Sequence, residues 1–397
     1  MSTDVKAPPP RRITAIDAYR GLVMFLMLAE VLHFQGVAKA LTESKTWQLL
    51  AHHQEHVEWV GCSLHDLIQP SFSFLVGAAL PFSIASRLAR GQSRPGMAAH
   101  AAWRAFVLVA LGIFLRSLGQ HRTVYTFEDT LTQIGLGYFF LFLLGLRPAR
   151  DQWIALAVIL VGYWAAFALY PVPGSGFNYK TAGVPPDWPH NLKGFAAHWN
   201  KNTNLAWAFD RWFLNLFPRE NVFTHNGGGY ATLSAIPTLG TMVLGLLAGG
   251  VLRREVPARR KLAWLVVAGV VGLAAGTALG ELGICPVVKR IWTPSWVLYS
   301  GGWCFLILAG FLATTDAIGL RGWTYPLRVV GANSIAAYVM NWLIKGFVVD
   351  RLTAHLGDRT FGAAGPAYES LLRGGATLLV LWLILFWMDR KRIYLRI

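Results

Sequence analysis

The chain has 397 residues, 54% of them hydrophobic and only 14% charged, with a formal net charge of +16 at pH 7. A soluble domain of this length needs a more polar surface, so composition excludes an ordinary globular protein. The basic excess would suit nucleic acid, but the arginines stand in short clusters between apolar runs, where they orient membrane proteins, and nucleic-acid binding is set aside.

Apolar runs of about 20 residues, enough to cross roughly 30 Å of hydrocarbon, recur along nearly the whole chain. Lipid offers no partner for backbone groups, so these runs are expected as α-helices; the alternation of a transmembrane β-strand is missing. The predicted fold is an all-α, polytopic membrane bundle of about ten spans. They lie near residues 14–36, 64–87, 101–119, 130–147, 152–171, 231–252, 262–282, 294–316, 326–349 and 369–389.

The basic, proline-rich residues 1–13 run directly into the first span. Asp17, Arg20 and Glu30 inside that span, and no small-residue cleavage site after it, argue for a retained helix rather than a cleaved leader. Orientation follows from Lys and Arg. With the amino terminus in the cytoplasm, every short inner segment is basic: Arg11 and Arg12; Arg87, Arg90 and Arg94; Arg147 and Arg150; Arg253, Arg254, Arg259, Arg260 and Lys261; Arg321; and Arg390, Lys391, Arg392 and Arg396. The expected organisation is a cytoplasmic tail (1–13), a membrane domain (14–389) and a basic cytoplasmic tail (390–397), in the inner membrane of a cell.

One outer segment, 172–230, is too polar to cross a bilayer and too long for a simple connection. Its tryptophans, Trp188, Trp199, Trp207 and Trp212, suit stacking on sugar rings or anchoring at the headgroup level.

Ionisable groups within apolar spans point to function. Asp17 and Arg20 are three residues apart, share a helix face and can pair; the alternative is that Arg20 helps hold an anion entering from the cytoplasm. Glu30 sits deeper and at another angle. The densest polar constellation is His52, His53, Glu55, His56, Glu58 and Trp59, followed by His65 and Asp66. It reads three ways: a solvated loop, a metal site using His52 and His56 at helical spacing, or acid–base and nucleophilic chemistry by a histidine oriented by a carboxylate. No distant Cys/His cluster completes a metal site, so no metal is expected. Further on, Lys289, Arg290 and Trp292 precede Thr293, a candidate N-cap with Pro294 at the first helical position and Ser295 after it. Asn333, within Gly331-Ala-Asn-Ser334, is placed for hydrogen bonding between helices. Cys62, Cys285 and Cys304 form no disulfide framework; Cys62 and Cys285 both fall near the outer face and could pair, but unrelated thiols are expected.

Several of these stretches share a resemblance. Ala15-Ile-Asp17-Ala-Tyr-Arg20-Gly21 is followed by His56-Val-Glu-Trp59-Val-Gly61-Cys-Ser-Leu-His-Asp66-Leu-Ile-Gln-Pro70, Phe74-Leu-Val-Gly77 and Pro81-Phe-Ser83. Later come Leu233-Ser-Ala-Ile-Pro237, Trp292-Thr-Pro-Ser-Trp-Val-Leu-Tyr-Ser-Gly-Gly302 and Gly331-Ala-Asn-Ser334. Together and in this order they resemble the heparan-α-glucosaminide N-acetyltransferase family and its bacterial relatives. The resemblance implies a transmembrane acetyltransferase that takes acetyl from cytoplasmic acetyl-CoA and delivers it to a sugar amine or hydroxyl on the far side. It maps the family's catalytic histidine onto His56, a carboxylate onto Asp66, and the first-helix acid and arginine onto Asp17 and Arg20. The chain departs from the pattern at Val60, where the lysosomal enzymes carry Asn, and at Asn226–Tyr230, where many bacterial relatives show Asp-Pro-Glu-Gly. Both differences bear on the acceptor.

On this reading neutral His56 is a general base on the acceptor, with an acetyl-histidine intermediate as the variant route. Asp66 or Glu58 orients the ring, and Asn333 or Ser295 stabilises the oxyanion. Asp17, Arg20, Arg253 and Arg254 are the candidates for the CoA end; Glu30, Trp59 and Trp292 are the candidates for the carbohydrate. The competing class is a secondary transporter of sugars or organic acids, which the chain's lack of an internal repeat argues against. Partners follow as acetyl-CoA, a carbohydrate acceptor and the lipid bilayer, and a homodimer suits a bundle of this size.

Overall fold

The computed structural model describes residues 13–395; Arg11, Arg12 and Arg396 of the predicted tails lie outside them. The first helix, α1 (Thr14–Leu28), tightens into a 3-10 turn over Ala29–Leu32 and bends by 41° at His33, whose φ is +50°, into α2 (Phe34–Ala40). The short α3 (Lys45–Gln54) folds back on α2. Four longer helices follow: α4 (Ile68–Ala89), α5 (Arg94–Arg116), α6 (Thr130–Gly145) and α7 (Ala149–Leu169). Residues 170–234 form a cap of turns around α8 (Leu205–Phe213). The chain then re-enters the bundle as α9 (Ala235–Arg253), α10 (Ala258–Glu281) and α11 (Pro294–Phe311). It finishes with α12 (Tyr325–Ala332), α13 (Ser334–Leu343), α14 (Lys345–Phe361) and α15 (Glu369–Arg390).

The all-helical membrane bundle expected from the apolar runs is what the chain forms. Among the described residues, seven helices are long and apolar enough to cross a bilayer, or eight if the bent α1–α2 pair is one span. Two of the ten predicted spans take another form. Residues 130–147 form a helix of only 16 residues, short for a bilayer. The predicted ninth span is broken at Asn333 (φ −122°, ψ 43°) and again at Ile344, leaving three pieces instead of one. Helix starts follow local chemistry. Ser93 caps α5 through the Gly96 N–H, with Pro95 in the first turn, and Asp129 accepts from the N–H groups of Leu131 and Thr132 at the start of α6.

The bundle is built around α9, whose apolar window is 83% buried, against 17% for the peripheral α10. α4 lies alongside α9 and runs in the same direction: Gly245 backs onto Phe74, and Gly249 onto Ala78. A Cβ on Gly77, Gly245 or Gly249 would collide with a backbone carbonyl of the facing helix, so this interface requires small residues. The parallel alignment gives the bundle two distinct ends. Arg87 and Arg253, at the carboxyl ends of α4 and α9, mark a basic end. The opposite end gathers the start of α4, the start of α9 and the segment leading into α11.

That opposite end is closed by a second apolar cluster of Trp59, Tyr163, Phe167, Trp199, Val288 and Ile291. The 172–230 segment is therefore a packed cap. Trp199 is fully buried and Trp207 nearly so, so neither indole face is open for sugar stacking, while Trp212 is 61% exposed. Cys62, Cys285 and Cys304 are free thiols.

Candidate active site

The chemistry concentrates where three segments meet at the capped end. The first is the loop after α3. α3 is held to the end of α1 by Gln54, whose Oε1 accepts from Phe34 N (2.6 Å) and whose Nε2 donates to Ala29 O (2.8 Å). Because α3 ends at Gln54, His56 stands in extended chain and not one helical turn from His52, which removes the geometry of the His52–His56 metal reading. Among the described residues no group of three His, Cys, Asp or Glu side chains converges on a common point suited to a metal ion. The second segment is the turn before α4, which carries Asp66. The third is the loop from 282 to 293, pinned to the first by a bridge between Val60 and Val288 and by Gly61 N donating to Val287 O (3.0 Å).

Asp66 is the hub. Its side chain is 1% exposed. Oδ2 accepts from the backbone N–H of Val57 (3.2 Å) and of Ser63 (3.0 Å), and Oδ1 lies 2.7 Å from His56 Nδ1 and 3.2 Å from Lys289 Nζ. The Ser63 hydroxyl also lies 3.1 Å from Oδ2, but its single proton has a shorter acceptor in Glu55 O at 2.5 Å. Two lone pairs facing each other at 2.7 Å would repel, so a proton sits between Nδ1 and Oδ1. Asp66 already receives a lysine and two amides, so the proton belongs to the imidazole. Nε2 of His56 therefore carries a lone pair. Its side chain is 38% exposed, so this nitrogen can meet a substrate. Burial pushes the His56 imidazole below its ordinary value, helped by Lys289 and Arg290 and opposed by Asp66. Burial likewise lowers the Lys289 ammonium, against the pull of Asp66. His65 packs beside His56 with ring centroids 4.6 Å apart.

The third segment is rigid for identifiable reasons. Thr293 caps α11, accepting from Trp296 N (3.3 Å) and Val288 N (3.0 Å), and Trp292 beside it holds a left-handed φ of +51°. Ser295 donates to Pro286 O at 2.6 Å. Arg290 ties the cap to the first loop, donating to Gly228 O (2.7 Å) and Val57 O (3.2 Å).

The structure brings His56 and Asp66 together and scatters the other candidates. Glu58 turns outward to His190 (3.2 Å), and Glu30 meets Lys345 (3.6 Å). Trp59 is fully buried and donates to Trp199 O (3.2 Å), while Trp292 donates to Thr241 Oγ1 (3.0 Å); both indoles hold structure. Ser295 is buried against the loop backbone. Asn333 is at the other end of the bundle: its amide donates to Ile393 O (2.9 Å) and accepts from Leu395 N (3.1 Å), beyond the carboxyl end of α15. Gly374, near the start of that helix, packs on Val31 and Leu32, roughly 24 Å away along the helix axis. Asp17 and Arg20 do pair, at 3.4 Å, and Arg253 and Arg254 are exposed at the basic end. Sequence reading placed Lys289 and Arg290 only at a helix start. The partners that bring them to this site, Asp66 for Lys289 and Val57 for Arg290, lie more than 220 positions away in the chain, a separation that spacing cannot reveal. Lysine in a hydrophobic surrounding was the one available signal.

A cavity of ≈ 280 Å³ opens among α1, α4, α5, α6 and α13, with Arg20, Ser83, Arg104, Tyr138 and Ser334 among its walls. Arg104 was not foreseen. It donates to Tyr138 Oη (3.1 Å), and its Nε is buried with no hydrogen-bond partner among the described residues. A second cavity of ≈ 100 Å³, walled in part by Leu26, Ile68 and His65, lies at the capped end. The α4 side chains at 68, 72, 76, 79 and 83 recur at helical spacing and line one or other cavity, so a single face of α4 runs from the arginines to the histidines.

No protein-family model matches the chain. Two curated proteins are similar to it over most of its length. The heparan-alpha-glucosaminide N-acetyltransferase of Homo sapiens is 26% identical over 380 residues, which cover 85% of this chain and 54% of that protein. The heparan-alpha-glucosaminide N-acetyltransferase of Mus musculus is 24% identical over 376 residues, with the same shares. The chain spans about half the length of these relatives. The likeness read from separate motifs is thus continuous along most of the sequence.

Proposed function

We propose that this chain is a membrane acetyltransferase that moves an acetyl group from acetyl-CoA to an amine or hydroxyl of a carbohydrate, with Nε2 of His56 as general base. The observation that carries the proposal is the 2.7 Å contact between His56 Nδ1 and Asp66, which leaves Nε2 as a lone pair beside an accessible face. Similarity to two named N-acetyltransferases supports the class.

The donor would enter at the basic end, which the positive-inside rule places in the cytoplasm. Its phosphates suit Arg20 and Arg104, and the unpartnered Nε of Arg104 fits an anion there. From Ser83 to Ile68 the lined face of α4 covers about 22 Å, a distance that an extended pantetheine arm spans. The thioester would then meet the acceptor at the capped end. As the acceptor nitrogen or oxygen attacks the thioester carbonyl, Nε2 takes its proton. The C–S bond breaks, and the departing thiolate recovers that proton, so His56 ends neutral. Asp66 holds the ring and its tautomer throughout. Glu58, Ser295 and Asn333 take no part, since each is committed elsewhere.

The test is purified protein with isotope-labelled acetyl-CoA and a panel of amino sugars and oligosaccharides, read by mass spectrometry. A mass gain of one acetyl group, lost in a folded His56→Ala variant, supports the proposal. Transfer that persists undiminished in that variant overturns the assignment of the base.

A further inference from the structure

Lys289 is placed where a histidine–carboxylate pair ordinarily has no cation. Its side chain is 4% exposed, and Nζ lies 3.2 Å from Asp66 Oδ1 and 3.0 Å from His56 Nδ1. A carboxylate has about four acceptor positions. Here they are filled by four donors: two backbone amides on Oδ2, and His56 Nδ1–H with Lys289 on Oδ1. We propose that Lys289 is the positioning residue of the site, completing the carboxylate so that His56 keeps its lone pair on Nε2, and holding the imidazole uncharged into acid conditions. The role in catalysis rests on the proposed acetyl transfer; the electrostatic role does not.

The reasoning is a balance of charges. In a pair without a cation, the carboxylate stabilises the imidazolium and makes the ring a stronger base. Here the ammonium sits 3.0 Å from the ring nitrogen, against 2.7 Å for the carboxylate, and the two charges oppose each other. Any proton arriving at Nε2 would place a second positive charge about 3 Å from Lys289. Arg290, in the same loop, adds to that repulsion. His65, on the turn before α4, packs on His56, and the thiol of Cys62 interacts with Asp66 and Lys289. His53 is engaged by Leu64 N. Glu30 faces Lys345, and Glu58 faces His190 with Lys201 nearby, so among the described residues Asp66 is the carboxylate at the ring, without a second to offset Lys289. The consequence suits a base that faces the non-cytoplasmic side, where external pH varies: it stays competent in acid at the expense of basicity.

The proposal is tested by the pH dependence of diethyl pyrocarbonate modification of His56, which requires the neutral ring and reads its titration without any acetyl transfer. Peptide mass spectrometry on the full-length purified chain isolates residue 56 from the other histidines. In the unsubstituted protein the midpoint should fall below that of an ordinary imidazole; a midpoint at or above the ordinary value overturns the proposal, whatever the variants do. In Lys289→Gln, which retains a donor and loses the charge, the midpoint should rise by about one pH unit or more, and in Lys289→Arg it should stay low. A folded Lys289→Gln protein with an unmoved midpoint also refutes it. In the transfer assay, Lys289→Gln should lose about tenfold in relative rate one pH unit below its midpoint, with a smaller change at pH 8. A chain that transfers no acetyl but shows the Lys289-dependent midpoint would remove the enzyme reading and leave the electrostatic assignment standing.

Discussion

Replacing Asp66 by Asn changes a single atom of the site, and the structure says which way the new amide will turn. Two backbone N–H groups, of Val57 and Ser63, point at the Oδ2 position and need an acceptor. The amide oxygen should settle there, leaving the NH2 group facing His56 Nδ1 and Lys289. That group can only donate, so Nδ1 becomes an acceptor and the ring proton moves to Nε2. The base is then blocked by its own proton. By comparison with other histidine–carboxylate sites, the expected loss in kcat is roughly 10³–10⁴-fold with a much smaller change in KM. The buried ammonium of Lys289 also loses its counter-ion. Breaking a buried pair on one side destabilises by about 3–5 kcal/mol, less whatever is regained when the lysine gives up its proton. The double variant Asp66→Asn/Lys289→Met removes the orphaned charge and should recover about 2 kcal/mol or more without recovering activity. Single-turnover transfer from labelled acetyl-CoA and thermal melting followed by circular dichroism give the two readouts. An Asp66→Asn protein with normal melting and more than a tenth of the original rate would refute this account of the dyad.

Arg104→Gln should raise KM for acetyl-CoA about tenfold or more with kcat changed far less, because the residue is placed to hold phosphate rather than the reacting atoms; equal kinetics with the donor would disprove its role. Asn333→Ala should cost about 1 kcal/mol of stability by removing its hydrogen bonds to the backbone of Ile393 and Leu395, with per-molecule activity retained, as melting and active-site-normalised rates will show. The buried carboxyl of Asp210, in the cap, is pushed up to about 7 by desolvation. The folded chain therefore holds a proton that the unfolded chain releases near pH 4, so stability from this group is present in acid and lost as pH rises towards 7. About three pH units at about 1.4 kcal/mol each give a decline on the order of 4 kcal/mol, which Asp210→Asn should abolish in melting curves taken from pH 4 to 8.

Much of the architecture could be read before any coordinates. Runs of about 20 apolar residues must be helices in lipid because nothing else satisfies their backbone, and seven of the expected spans appear as such. The pairing of Asp17 with Arg20 was legible because helical geometry alone puts residues three apart on one face. The reading failed where apolarity and helical continuity part company. Residues 326–349 are apolar enough for one span, yet Asn333 leaves the helix to bind the chain's tail, and no local preference announces that partner.

The site divides along the same line. His56 and Asp66 are ten residues apart in a polar loop, and their chemical suitability for each other was visible in the residue types. Which carboxylate would reach the ring was not: Glu58 is nearer in sequence but turns to His190. Local sequence therefore determined the membrane class and the helical composition, because each depends on interactions within a few turns of chain, whereas His56 was singled out as the candidate base only by the family resemblance. Only tertiary structure decided its electrostatic surroundings, since the cation beside it, Lys289, arrives from 233 residues away on a loop held by Thr293, Val288 and Gly61. Electrostatic interaction depends on distance through space, and at 3 Å in a buried setting that distance outweighs any order along the chain.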